Sequence, residues 1–435
     1  MDTLKLRVLG AGLCALLASC EKPTPFEITA PATPGGNTPT PTFDASLPVL
    51  DANMQPSNDG AAPIEVPTGE FTQANLLKAI GECALGRYRT FVTLTNTLRD
   101  ATRAYADTLT PASLLGAQEA WRAADAAWQE LEFFRFGPAG SSALPGGADI
   151  RNNVYFFPDL NHCQVDQVLV TRAYTMGGTV LSVGAKGLGG LEYLLFYAGS
   201  TNSCPSGSGI NGPSNGSSAW QMLEASELTR RRADYAAAVA EDLLLQANRL
   251  VMAWDPAGGN FLTQFATAGA GSTSFARAFD AFNVVDDAMW YLDVEVKDYK
   301  LAIPAGISPV CMPGPCPQSV ESRFSLMSNA NIRQNLSGFR LLFNGCGSNY
   351  TGLGFDDWLR TIGRTELADA MTNALVNADN LVAALPLPLE QMLTSNLAQV
   401  QQVHAAIQAV TTLFKADFTS ALNLQRPAVN EGDND

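Results

Sequence analysis

The chain has 435 residues, of which 46% are hydrophobic, and its formal net charge at pH 7 is −15. This length allows one large domain or two ordinary ones. The acidic balance argues against a nucleic-acid partner and against electrostatic attachment to anionic lipid, because both depend on clustered Lys and Arg. It suits a protein of the cell envelope.

Residues 1–19 have the features of a signal peptide. Lys5 and Arg7 form a short basic segment, and an apolar run follows them. The run is too short to span a bilayer, which takes about 20 apolar residues in a helix. Residues 17–20, with the sequence Leu-Ala-Ser-Cys, resemble the lipobox of bacterial lipoproteins, in which the Cys is acylated. We therefore predict a lipid anchor on Cys20; the alternative is an ordinary signal peptide followed by an unrelated Cys.

Residues 20–69 form a segment rich in Pro, Thr, Ala and Asn, with almost no large apolar run. Such a segment buries too little surface to offset its ordering entropy, and its prolines favour extended conformations. We predict a disordered tether between the lipid and a folded body; an irregular arm packed on the body is the alternative. Glu21, rather than Asp, follows Cys20, which favours the periplasmic side of the outer membrane.

Six cysteines remain beyond the predicted lipid anchor, and they are Cys83, Cys163, Cys204, Cys311, Cys316 and Cys346. An even number in an oxidising compartment predicts disulfides, for which fifteen pairings are possible. The closest pair, Cys311 and Cys316, lies in a proline-rich loop, so we predict a small local ring. A metal-binding cysteine cluster is the alternative, but it would need further Cys or His nearby.

Apolar residues recur at steps of three and four along most of the body, which predicts an all-α fold. The first helix is predicted over residues 71–109. Thr110 and Pro111 then supply a cap and a first-turn proline for a second helix that ends near Phe133. A further helix is expected within residues 220–254, and a last helix of about 35 residues near 388–422.

A segment dominated by Ser, Gly and Asn, residues 199–218, divides the body into halves. Helices this long suit bundles better than a globin-like packing. We therefore predict two helical-bundle domains, residues 70–205 and 215–425, after the N-terminal tether.

Residues 187–196, with the sequence Gly-Leu-Gly-Gly-Leu-Glu-Tyr-Leu-Leu-Phe, resemble the signature of the imelysin family, also called the M75 peptidase-like family. That signature is G-x-H-x-x-E followed by an aromatic residue and Leu-Leu. Gly187 and Glu192 match its Gly and its Glu, whereas Gly189 stands at the position of its His. The resemblance extends over almost all of residues 75–425. It implies an exported bacterial envelope protein built from two helical bundles.

The resemblance also implies a site around the signature. Glu192 would face a pocket where the two bundles meet, and the candidate binding residues are Gly187, Glu192, Arg151, Glu321, Ser325 and Asn335. The alternative is that Glu192 is a structural carboxylate, bonded to Arg151 or to backbone donors near Gly189 and Gly190.

The Gly at position 189 removes a possible metal ligand from the signature. A His and a Glu three residues apart lie on one helical face and can reach one metal ion, but Gly removes the nitrogen ligand. The chain has only two histidines: we expect a capping or loop role for His162 and an interhelical hydrogen bond for His404. Zinc peptidase chemistry is therefore disfavoured, although Glu192 remains a candidate metal ligand, for iron rather than zinc.

Three functions fit these patterns. The first is a membrane-anchored, non-catalytic binding protein linked to iron or metal acquisition, with iron, haem or an envelope protein as partner. The second is an M75-type metallopeptidase that recruits other ligands. The third is a helical scaffold that presents surfaces to partner proteins of the envelope.

Overall fold

The computed structural model describes residues 70–212, 218–311 and 313–427. Over these ranges the chain forms helices and loops without a strand, so the predicted all-α class is confirmed. None of the described helices is long and apolar enough to cross a membrane. The predicted signal peptide, the lipid site at Cys20 and the tether to residue 69 lie outside the described residues.

In chain order the described α-helices are α1 Gln73–Thr108, α2 Pro111–Leu131, α3 Ile150–Val154, α4 His162–Thr171, α5 Gly187–Phe196, α6 Ala225–Trp254, α7 Phe261–Ala266, α8 Ala278–Met289, α9 Ser328–Phe343, α10 Phe355–Thr361, α11 Thr365–Ala383, α12 Leu389–Ser395, α13 Leu397–Leu413 and α14 Thr419–Leu422. Two π-helical segments lie between them, Leu292–Ala302 and Phe414–Phe418. Short 3-10 turns fill several of the connections.

The boundary between α1 and α2 forms as its sequence predicts. Leu109 ends α1 in the left-handed conformation, with φ 51°. The Thr110 hydroxyl then accepts a hydrogen bond from the Ser113 backbone N–H at 3.1 Å, and Pro111 occupies the first turn of α2. Thr110 pairs a backbone donor that α2 cannot pair internally, and Pro111 has no backbone donor to leave unpaired.

The long helices pack side by side. Helix α1 lies against α2 and α6, α2 against α9, and α11 against α13. Their contact faces carry the buried apolar stripes, so burial of one face holds each helix in place. Helices α1 and α6 come from the two predicted domain ranges, and they pack along each other; the division into two domains stays a prediction.

The prediction of one continuous last helix is wrong. The structure breaks it at Asn396, whose φ of −154° and ψ of 67° are not helical. The Asn396 side chain accepts a hydrogen bond from the Gln399 backbone N–H at 3.3 Å and so caps α13. An Asn side chain competes with the helical backbone for this donor, which is why it favours a cap over a helix interior. The segment Phe414–Phe418 interrupts the regular helix a second time.

Three disulfides join the six cysteines. Cys311 and Cys316 close the predicted local ring. Cys163 is joined to Cys204. Cys83, in α1, is joined to Cys346, in the loop that follows α9. The last bond ties together two segments separated by 263 residues.

Candidate functional site

Helix α5 carries the candidate carboxylate, and its first residue must be Gly. Gly187 has a φ of 69°, and a Cβ at this position would lie 2.4 Å from the Val154 carbonyl oxygen. Both the backbone conformation and the close approach exclude a side chain. Gly187 therefore shapes the start of α5, which positions Glu192 one turn and a half further along the helix.

The Glu192 carboxyl is buried and held by the segment before α9. Its Oε1 accepts hydrogen bonds from the backbone N–H groups of Phe324 and Ser325, at 3.0 and 2.9 Å. The Ser325 hydroxyl donates a third, at 3.0 Å. Burial raises the pKa of Glu192 to about 7, although the Ser325 and Phe324 hydrogen bonds lower it in part. Two successive backbone donors form a small cradle for negative charge.

The segment that supplies these donors has unusual backbone geometry. Ser322 and Leu326, which flank Ser325, have φ values of 32° and 61°. Residues other than Gly rarely adopt positive φ, and each such residue costs about 1–3 kcal/mol unless its surroundings enforce it. Strain of this kind concentrates at functional sites. The backbone with this geometry is the one that presents the Phe324 and Ser325 N–H groups to Glu192.

A second buried carboxylate lies in a charged network beside Glu192. Lys300, in the π-helical segment, places its Nζ 2.9 Å from Glu321 Oε1. The same ammonium donates to Gln129 Oε1 and Asn335 Oδ1, both at 2.7 Å. The Tyr155 hydroxyl also donates to Glu321. Glu321 is therefore neutralised by a buried Lys, as a buried carboxylate requires.

Asp125, on α2, adds a third buried carboxyl to this region. Burial is the main reason that its pKa lies well above the usual range, and the charges of Glu321 and Glu192 raise it further. The neighbourhood therefore carries more acidic groups than Lys300 alone can balance.

Arg151 forms its ion pair with Glu132 and not with Glu192. Its Nε donates to Glu132 Oε2 at 3.0 Å, and its Nη2 donates to the Phe157 carbonyl oxygen at 3.3 Å. Glu132 is fully buried and also accepts a hydrogen bond from Trp128 Nε1 at 2.6 Å. The hydrogen bonds of Glu192 come from Phe324 and Ser325 instead. The partners named in the alternative interpretation, Arg151 or backbone donors near Gly189 and Gly190, are therefore not the ones that Glu192 has.

Glu192 and Glu321 line a cavity of about 340 Å³. Its walls include the aromatic rings of Tyr155, Phe157 and Phe324, and Arg323 contributes to its lining. Of the candidate residues, the structure brings Glu192, Ser325 and Glu321 together. Asn335 is connected to them only by the hydrogen bond that it accepts from Lys300.

The Gly at position 189 also faces this cavity. A Cβ on Gly189 would lie 3.0 Å from Leu160 Cδ2, so the Leu160 side chain occupies the space beside it. His162, two residues further on, lines the same cavity. Its ring lies 4.7 Å from the Tyr193 ring, measured between centroids. Burial lowers the pKa of His162 to about 4, and the Arg323 charge adds to the effect, so the imidazole is neutral.

The sequence did not place His162 in the site. His162 is the first residue of α4, but the cap is Asn161, whose Oδ1 accepts from the Gln164 backbone N–H at 3.0 Å. His404, on α13, is buried and lines a separate cavity. Lys300 was also missed, because no local pattern marks a single Lys as buried.

The side chains of this site could supply only a few ligands to a metal ion. Within residues 70–212, 218–311 and 313–427, no group of three or more His, Cys, Asp or Glu side chains is placed to hold a metal ion. Glu192 and His162 nevertheless supply one carboxylate and one neutral imidazole to the same cavity. Both are groups that coordinate iron and other transition metals.

Comparison with known proteins identifies the fold and the family. An imelysin-like protein from Psychrobacter arcticus 273-4 is similar in structure, with a TM-score of 0.59 at 16% identity over 84% of this chain and 99% of that one. A protein from Parabacteroides distasonis ATCC 8503, named as an iron-regulated protein A precursor, has a TM-score of 0.60 at 18% identity over 85% and 100%. No curated protein matches the chain. The sequence profile of Imelysin (Peptidase M75) matches residues 84–416, and the chain therefore belongs to the imelysin family.

Proposed function

We propose that this protein is a non-catalytic binding protein of the bacterial cell envelope, linked to iron or metal acquisition. It is anchored by a lipid on Cys20, on the periplasmic side of the outer membrane. The observation that carries the proposal is the cavity that both Glu192 and Gly189 line. A small-molecule site is typically a cavity of several hundred Å³ with apolar walls and a few fixed polar groups, and this cavity has that character.

Binding fits the site better than peptide hydrolysis. A catalytic zinc site takes about three protein ligands and leaves one position for water. Gly189 provides no ligand, and Glu321 is already paired with Lys300 at 2.9 Å. Glu192 is held in one orientation by three donors on a single oxygen. Such preorganisation favours recognition of a ligand, because little ordering cost remains to be met on binding.

The link to iron is supported by the name of the Parabacteroides distasonis protein, which describes that protein as iron-regulated. The envelope location is supported by the basic and apolar composition of residues 1–19 and by the Leu-Ala-Ser-Cys sequence at 17–20. The tether then gives the folded body reach from the membrane surface.

The test is growth of the source bacterium under iron starvation. A strain without the gene should grow poorly when iron is chelated, and the wild-type gene should restore growth. Glu192→Gln should not restore it, whereas Glu390→Gln should, because Glu390 is a half-buried carboxyl that also has a raised pKa but does not line the cavity. Cys20→Ser should release the protein from the membrane fraction.

Two outcomes would replace the proposal. Zinc-dependent proteolysis by the full-length protein that disappears in Glu192→Ala would indicate an M75-type metallopeptidase. Restoration of growth by Glu192→Gln as fully as by the wild type would indicate a helical scaffold whose cavity is not used.

A further inference from the structure

Three side chains from distant segments meet in the buried network around Lys300. Gln129 lies on α2, Lys300 in the π-helical segment, and Glu321 in the segment before α9. Gln129 and Lys300 are separated by 171 residues along the chain. All three residues are almost completely shielded from solvent. Water therefore competes little with any reaction among these groups.

Lys300 holds a nitrogen atom against the side-chain amide of Gln129. Its Nζ lies 2.7 Å from Gln129 Oε1. A carbonyl carbon lies about 1.2 Å from its oxygen, so Nζ lies within about 4 Å of Gln129 Cδ. A Lys amine that has lost its proton is an effective nucleophile toward carbonyl carbon. Holding the two groups together replaces a bimolecular encounter by an intramolecular one, which accelerates their reaction.

Glu321 contacts both nitrogen atoms between which a proton has to move in such a reaction. Its Oε1 lies 2.9 Å from Lys300 Nζ and accepts a hydrogen bond from Gln129 Nε2 at 3.3 Å. One carboxyl oxygen can thus take a proton from the Lys nitrogen and deliver one to the amide nitrogen. The Tyr155 hydroxyl donates to the same oxygen and helps to fix its position.

Asn335 directs a donor at the oxygen atom on which negative charge would develop. Its Nδ2 donates to Gln129 Oε1 at 3.0 Å and to the Gln129 backbone carbonyl oxygen at 2.8 Å. A donor already directed at the carbonyl oxygen stabilises the tetrahedral intermediate of acyl transfer. A nucleophile, a proton carrier and an oxyanion donor therefore surround this single amide.

We propose that Lys300 and Gln129 join in an intramolecular isopeptide bond, with release of ammonia. The ion pair of Lys300 with Glu321 is the state before the bond forms. A proton first passes from the Lys300 ammonium to Glu321. The amine lone pair then forms the bond from Nζ to Gln129 Cδ, and the π electrons of the C=O bond move to Oε1, where Asn335 donates.

The intermediate collapses when the C=O bond re-forms and the bond from Cδ to Nε2 breaks. Glu321 gives its proton to Nε2 and takes one from Nζ, so that neutral ammonia leaves. Glu321 ends protonated and uncharged, which suits a buried carboxyl whose cation has been consumed. Ammonia departs through the cavity that Glu321 lines. Each atom and electron pair is supplied by the three side chains, so no oxidant or other reactant is required.

Gln129, rather than Asn335, is the acyl partner. Lys300 Nζ also donates to Asn335 Oδ1 at 2.7 Å. The Asn335 amide nitrogen, however, directs its two hydrogen bonds at Gln129, whereas the Gln129 amide nitrogen donates to Glu321. The leaving nitrogen of Gln129 is thus the one in contact with the proton carrier.

The test is the mass of the full-length protein, purified in detergent from the native envelope and reduced to open its disulfides. After allowance for any lipid, the wild type should be lighter than its sequence requires by one ammonia. Trypsin should release a branched peptide that joins α2 to the π-helical segment, because trypsin does not cleave after an acylated Lys. On a reducing denaturing gel the wild type should migrate faster than Lys300→Met, since the bond keeps a long loop closed.

Substitutions assign the roles. Lys300→Met and Gln129→Leu should each abolish the loss of ammonia. Glu321→Gln keeps the size of the side chain but carries no exchangeable acid proton, so bond formation should slow by at least about a hundredfold. Lys186→Met is the matched control, because Lys186 is also a buried Lys paired with a carboxylate, Asp242, at 2.9 Å. It should keep the loss of ammonia.

The wild-type mass decides the proposal even if a variant fails to fold. A wild type at the unreacted mass would overturn it. So would loss of ammonia that persists in Lys300→Met or Gln129→Leu, or a branched peptide that joins Lys300 to Asn335. An undiminished rate in Glu321→Gln would overturn the proton transfer through Glu321. None of these results depends on the proposed function, which does not involve the bond.

Discussion

Two buried regions of this protein are stabilised in different ways. Around Trp254 the core is aromatic, with the Trp254 ring 4.8 Å from that of Phe261 and the Phe136 ring 5.2 Å from that of Phe265. Around Lys300 the core is charged. The Lys300 ammonium pairs with Glu321 and donates hydrogen bonds to Gln129 and Asn335. Both regions are almost completely shielded from water.

The difference lies in how each region responds to change. Dispersion and the hydrophobic effect have little directionality, so an aromatic core can repack around a moderate substitution. A buried charge, by contrast, depends on particular partners, and its removal leaves the opposite charge uncompensated. The charged region should therefore tolerate substitution far less than the aromatic region. One substitution in each region can measure this difference, and a third, at the half-buried Glu390, measures the cost of an uncompensated carboxylate outside both regions.

The largest effect is expected from Lys300→Met, which keeps the length of the side chain but removes its charge. Glu321 would then be a buried carboxylate without its cation, and the free energy of unfolding should fall by about 3–5 kcal/mol. Urea unfolding followed by circular dichroism would measure the loss. The double variant Lys300→Met with Glu321→Gln should regain part of it, because the uncompensated charge is gone.

A smaller effect is expected from Phe265→Leu in the aromatic core. The substitution keeps an apolar side chain, and the neighbouring rings of Phe136 and Phe275 can shift toward it. The loss in free energy of unfolding should be about 1–2 kcal/mol in the same urea experiment. A loss equal to that of Lys300→Met would contradict the contrast between the two regions.

The smallest effect, and the only gain, is expected from Glu390→Gln. Burial raises the pKa of Glu390 to about 7, and its Oε1 accepts a hydrogen bond from Ser328 Oγ at 3.2 Å, which an amide oxygen can keep. Since the folded-state pKa lies above the unfolded value of about 4.3, wild-type stability falls as the pH rises through about 4.3 to 7.

At pH 8 the free energy of unfolding of the Gln variant should therefore be about 1–2 kcal/mol higher than that of the wild type. Near pH 4 the two proteins should be equal. Urea titrations of both at the two pH values measure the difference, and a gain that is independent of pH would show that charge is not its cause.

Local signals in the sequence were sufficient for much of the fold. The start of α2 follows from Thr110, whose hydroxyl accepts from a backbone N–H of the first turn, and from Pro111, whose fixed φ suits that turn. The break at Asn396 was missed because the apolar stripe continues across it, and only the local backbone geometry shows that the side chain caps a new helix. Periodicity reports which face is buried, not whether the helix is continuous.

The site was predictable only where residues act locally or within the family signature. Glu192 could be named, but its donors are backbone groups of Phe324 and Ser325, more than 130 residues away. The partners of Lys300 lie 171 and 35 residues from it. Such contacts depend on tertiary packing, and a single sequence carries no pattern for them.

The bond between Cys83 and Cys346 has a consequence for biosynthesis. Under the proposed envelope location, translocation delivers the chain from its N-terminus, so Cys83 would reach an oxidising compartment long before its partner, which follows 263 residues later. Cys163, Cys204, Cys311 and Cys316 all emerge in the interval. During that time Cys83 can exchange with each of them. Correct maturation thus requires either a shielded thiol in α1 or an isomerase that reopens wrong pairs, and yield should fall in a host that lacks one.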